Sequence, residues 1–121
     1  MVAKTIQDMA QRAVELLGIA EAQEEISTED AALFDRTYRT KHAELILREI
    51  AYWPVAEIPA EVFEYVSMIM ADVNASSFGK STPIVMDENG QQVGMGVAGL
   101  RGLKRVTQRV ATGLPAQALY F

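Results

Sequence analysis

Apolar residues in the first two thirds of the chain recur at intervals of three and four, the spacing of helices with one buried face. Ile6, Met9, Ala13, Val14 and Leu17 mark a first amphipathic helix, with Thr5 as N-cap and Asp8 in the first turn. Gly18 supplies the left-handed residue that commonly ends a helix, and Ile19 the apolar contact that accompanies such a stop. Residues 20–26 read as a connector. Ser27 and Asp30 repeat the capping pattern, and Phe34, Tyr38, His42, Leu45, Ile46 and Ile50 carry the i, i+3, i+4 rule onward. Pro54 biases Trp53 out of helical geometry, so the second helix is expected from Thr28 to Ala51, about 36 Å long.

Trp53 to Pro59 holds two prolines among large apolar residues and reads as a buried elbow. Pro59 opens a third helix, whose broad stripe of Val62, Phe63, Val66, Ile69, Met70 and Val73 is wide enough to be covered on more than one side. Gly79, after Phe78, is the expected stop. The period then changes. Ile84, Val85 and Met86 face Gln91, Gln92 and Val93 across Asp87-Glu88-Asn89-Gly90, and Asn-Gly between short apolar runs predicts a hairpin over 83–94. A lone hairpin is marginal in water, so it must pack on the body or on another chain. Leu100, Leu103, Val106 and Val110 mark a fourth helix, which Gly113 and Pro115 end. The expected fold is mainly α: a small bundle of about four helices, a β-hairpin before the last one, and an extended C-terminal arm.

Composition narrows the chemistry. The chain has 121 residues, half of them hydrophobic, which fits one globular core. No run approaches the ~18 apolar residues of a membrane span, and no basic-then-apolar leader opens the sequence, so a cytoplasmic setting is expected. With no cysteine, disulfides, thiolate metal sites and cysteine nucleophiles are excluded. Net charge is −5, yet all 16 carboxylates precede residue 90, whereas Arg101, Lys104, Arg105 and Arg109 follow it unopposed. An acidic body thus carries a basic C-terminal segment, and that asymmetry calls for a partner or a neighbouring copy.

Candidate motifs weigh toward ordinary structure. Gly94, Gly96 and Gly99 spell G-x-G-x-x-G, but a dinucleotide site needs a further parallel strand and an acidic residue about 20 positions on, so these read as hinge glycines. Gly79-Lys80-Ser81 resembles the end of a phosphate loop, but Asn74 stands where its first glycine belongs. Asp87, Asn89 and Gly90 fit a turn better than a calcium loop, which needs a closing Glu. His42, the single histidine, sits mid-helix beside Tyr38 and Ile46 and reads as a packed or interface residue. The expectation is a protein that is not an enzyme, with no catalytic, cofactor-binding or metal residues. The basic fourth helix suits protein contact, or phosphate contact in a small nucleic-acid-binding regulator.

Read in order, the helix ending in Leu17-Gly18-Ile19, the long helix leading to Tyr52-Trp53, the Ile58-Pro59 elbow and the apolar helix closing on Phe78-Gly79 are similar to a known family. Over residues 4–80 the chain resembles the head-to-tail adaptor, or connector, proteins of tailed bacteriophages. That resemblance implies a helical bundle assembled as a ring, usually of twelve copies, below the portal protein of a virion. Such a ring extends the channel for packaged double-stranded DNA and offers a platform to a tail or nozzle component; it is assembled in the host cytoplasm with no membrane partner. It further implies a division into a body, 1–95, and a basic helix with docking arm, 96–121. Arg101, Lys104, Arg105 and Arg109 would then meet acidic surface, while Leu114, Tyr120 and Phe121 fill apolar pockets of the portal or of a neighbouring copy.

Overall fold

The computed structural model describes residues 3–19 and 25–111. Four helices form a bundle: α1 (Ile6–Leu16), α2 (Thr28–Leu47), α3 (Ala60–Asn74) and α4 (Met95–Ala111). A two-stranded antiparallel hairpin, β1 (Ile84–Met86) and β2 (Gln92–Gly94), precedes α4.

The start of α1 is fixed by a reciprocal capping box: Thr5 Oγ1 accepts from the Asp8 amide at 3.1 Å, and Asp8 Oδ2 accepts from the Thr5 amide at 3.0 Å. Gly18 ends the helix with φ of 73°, and the Ile19 amide returns to the Val14 carbonyl. Ser27 caps α2 through its hydroxyl, which accepts from the Asp30 amide. The second helix is shorter than its apolar spacing suggests. It stops at Leu47, because Glu49 adopts φ of 60° and the Ile50 amide turns back to the Leu45 carbonyl at 2.8 Å. Ile50 is still buried, but from the connector, and Ile46, expected on the buried face, is half exposed.

Trp53 and Ile58 are buried while Pro54, Ala56 and Glu57 stay exposed, so only part of the elbow is the buried corner expected. Lys4 and Ile58 exchange both backbone hydrogen bonds, at 2.8 and 2.9 Å, which ties the start of the described chain to the elbow. Pro59 then precedes α3, its fixed φ suited to a helix start.

α3 is the central helix, packed against α1, α2 and α4. Its buried residues, among them Val62, Val66, Ile69, Met70 and Ala71, reach round much of its circumference. A 3-10 turn, Ala75–Phe78, extends it until Gly79, at φ of 71°, reverses the chain. Phe78 stacks on Phe34 of α2, 5.8 Å between ring centres. Fully burying side chains of this size contributes about 1.5–3 kcal/mol each, and Phe34, Tyr38, Met9, Leu45 and Leu103 are all removed from water.

The hairpin pairs Ile84 with Gly94, Val85 with Val93 and Met86 with Gln92. Its loop is a turn closed by the Gly90 amide on the Asp87 carbonyl, with Gly90 left-handed at φ of 78°. Asp87 Oδ1 accepts from the amides of Asn89 and Gln91 and holds the tip together. Val85 faces the helices, and the Met95 amide bonds to the Pro83 carbonyl, so the hairpin is anchored to the start of α4.

The glycines of α4 are contact points and not the hinges their spacing suggests. A β-carbon on Gly99 would lie 2.7 Å from the Tyr65 carbonyl oxygen, and one on Gly102 would strike the Tyr65 ring. Small residues at this seam let α4 lie close against α3, placing Leu103 and Val106 in the common core. At Gly96 the amide donates to Asp72 Oδ2 at 2.9 Å, so a carboxylate of the chain itself occupies the position where a dinucleotide fingerprint would seat a phosphate.

Candidate interaction surface

On α4 the buried positions Met95, Leu103 and Val106 turn toward α3, which leaves Arg101, Lys104, Arg105 and Arg109 exposed. The structure brings these four residues onto one helix. Arg109 stands in the last turn, where a cation favours the negative helix end. Arg101 reaches Asp87 at the base of the hairpin loop, 3.9 Å away, a pairing invisible to local sequence because 14 residues separate them. Lys104 and Arg105 have no carboxylate within ion-pair distance among the described residues. Leu114, Tyr120 and Phe121 lie outside the described residues.

Among the described residues, open hollows border α4 on several sides, one of them between Arg101, Arg105 and the hairpin. The first, of about 300 Å³, lies between α2, α3 and α4, with Leu45, Ile69, Val73, Val97 and Leu100 as apolar walls. Lys41 and Arg48 stand at its margin, both bound to Glu44 at 3.1 and 3.4 Å. The hydrogen bond from Lys41, helped by Arg48, holds the Glu44 carboxyl below its ordinary range. Another, of about 380 Å³, is bordered by Arg48, Glu49, Lys104, Thr107 and Gln108; Thr107 Oγ1 donates to the Ile50 carbonyl at 2.6 Å and fastens α4 to the connector that follows α2.

Large apolar side chains remain in water on α2, α3, α4 and the hairpin. Leu47 is 85% exposed, Met86 62%, Ile84 59%, Val97 48% and Val73 41%. Ile84 and Gly94 are cross-strand partners, and Gly94 borders Val97, so the outer hairpin face continues toward the first hollow. Sequence spacing assigned Val73 to the buried stripe of α3 and gave no sign of Val97. The signal that bears on both is the glycine row of α4, which sets how closely that helix approaches α3.

The remaining candidates take structural places. His42 is buried, with Nε2 2.8 Å from the Trp53 carbonyl oxygen, a packed histidine as its position suggests. Arg12 forms a two-pronged pair with Glu64, at 3.0 and 2.9 Å, which joins α1 to α3 and raises the arginine's pKa. The Tyr52 hydroxyl donates to Glu61 Oε2 at 2.8 Å, and partial desolvation together with that carboxylate pushes the phenol upward. Among the described residues, no group of three or more histidine and carboxylate side chains is placed to hold a metal ion, and no helix is long and apolar enough to cross a membrane. No protein-family model, curated protein or solved structure matches the chain.

Proposed function

We propose that the chain is a structural subunit of a tailed-phage head-to-tail junction. In this reading copies form a ring, of about twelve if the family pattern holds, that docks on a portal protein. The ring extends the channel for packaged double-stranded DNA and receives a tail or nozzle component. The observation that carries the reading is the set of large apolar residues left in water on the hairpin and beside the α2–α3–α4 hollow: Ile84, Met86, Val97 and Val73. Large apolar side chains left in water on neighbouring elements favour a place where another chain sits. The order of helix, long helix, proline elbow and apolar helix closing on a glycine adds to it, since it follows the adaptor pattern. A net charge of −5 also suits a channel wall that DNA slides past without adhering.

The test replaces Ile84 and Met86 together by serine, on a hairpin face that contributes little to the core. The variant is expected to melt like the parent yet lose docking to portal rings that the parent binds. Docking unchanged from the parent would remove the support this surface gives.

A second reading, a small nucleic-acid-binding regulator using α4, draws on one observation: Lys104 and Arg105 are exposed without carboxylate partners among the described residues. It predicts duplex binding that falls steeply with salt. No binding at low salt would remove it.

A further inference from the structure

Charge is divided between two parts of the bundle that pack on different faces of α3. The described residues from Ile6 to Asp30 hold five carboxylates, Asp8, Glu15, Glu25, Glu29 and Asp30, against the single cation Arg12. α4 holds four cations and no carboxylate. α1 meets α3 on the side of Glu64, through Arg12, whereas α4 meets it along Tyr65, Met68, Ile69 and Asp72. The Ile26 amide bonds to Gln11 Oε1 at 2.9 Å, which sets the start of α2 beside α1 and makes one acidic flank of the two. Glu25 and Glu29 are exposed there, with no ion pair among the described residues.

We propose that the exposed side of α4, carried by Lys104 and Arg105, is one half of a head-to-tail interface whose other half is the acidic flank of a second copy, around Glu25 and Glu29. The proposal rests on the ring described above and names the two faces that build it. Unlike faces on one subunit give a heterologous contact, which closes into a ring when the rotation between neighbours permits. Exposed ion pairs each contribute little, so the charges set encounter rate and register.

The experiment is a charge exchange on the full chain, read as particle mass at low and physiological salt, alone and on candidate portal rings. One variant carries Lys104→Glu and Arg105→Glu, the other Glu25→Lys and Glu29→Lys; thermal melts establish that both fold. Each variant alone is expected to associate at least ~10-fold more weakly than the parent. An equal mixture of the two is expected to recover association, because alternating copies restore opposite charge at every contact. Variants that assemble like the parent, or a mixture that recovers nothing, would overturn the assignment of faces while leaving the ring intact. A parent that stays monomeric in every condition would overturn the ring and this interface with it. Duplex DNA bound through Lys104 and Arg105, with self-association indifferent to their reversal, would assign α4 to nucleic acid instead.

Discussion

The indole Nε1–H of Trp53 donates to the phenolic oxygen of Tyr38 at 2.9 Å, both side chains lying in the core. This bond ties the elbow to the middle of α2, and the Trp53 carbonyl oxygen extends it to His42 Nε2. Replacing Trp53 by Phe removes both indole volume and the donor, and is expected to cost about 2–4 kcal/mol. Tyr38→Phe leaves the buried indole N–H without this acceptor and is expected to cost about 1–3 kcal/mol. Urea unfolding followed by tryptophan fluorescence measures Tyr38→Phe, and far-ultraviolet circular dichroism measures Trp53→Phe.

Glu49 holds a left-handed backbone, φ 60°, directly after α2. For a residue with a β-carbon this conformation costs about 1 kcal/mol, and glycine adopts it freely. Glu49→Gly is therefore expected to raise the stability by about 0.5–1 kcal/mol, partly offset by the greater freedom of glycine in the unfolded chain. A midpoint of denaturation lower than the parent's would show that the Glu49 side chain holds something the backbone argument omits.

Gly99 tests the seam between α3 and α4 from the opposite direction. Alanine is the better helix former by about 1 kcal/mol, yet its β-carbon would meet the Tyr65 carbonyl oxygen at 2.7 Å, where backbone has to move. Overpacking of this kind costs about 1–3 kcal/mol, so the variant is expected to be net destabilised. A Gly99→Ala protein that melts above the parent would mean that the helices do not approach as closely as described.

Tyr52 and Tyr38 both hold their protons more firmly than a free phenol, Tyr52 through partial desolvation and the Glu61 carboxylate, Tyr38 through burial. A group whose pKa rises on folding stabilises the fold at pH below its unfolded value and loses that contribution as pH climbs through the folded one. Stability is thus expected to fall above about pH 10, where unfolded tyrosine begins to ionise. Ultraviolet titration should show two phenols ionising late, and Glu61→Gln should bring the Tyr52 step down. Tyrosines that all titrate in the ordinary range would contradict the burial of Tyr38 and the hydrogen bond from Tyr52 to Glu61.

The helix starts were legible because their signals are local: Thr5 with Asp8, and Ser27 with the Asp30 amide, act within one turn. Gly18 and Gly79 were legible as stops for the same reason, and so was the hairpin around Gly90. The end of α2 was not, since Glu49 carries no mark of a left-handed residue and Ile50 keeps the apolar period although it leaves the helix. The role of Gly96, Gly99 and Gly102 was equally hidden, because it depends on Asp72 and Tyr65 of another helix. The candidate surface divides likewise. The basic row of α4 follows from the sequence, whereas the Arg101–Asp87 pair and the hollow between Val73 and Val97 exist only once α4 lies on α3.

The most direct test of the central claim is the mass of the purified protein, alone and after mixing with candidate portal rings, by light scattering with electron microscopy of the same samples. The adaptor reading predicts ring-shaped particles or addition to the portal in fixed stoichiometry, with extra density continuing the channel. A chain that stays monomeric and leaves portal particles unchanged in mass would contradict it.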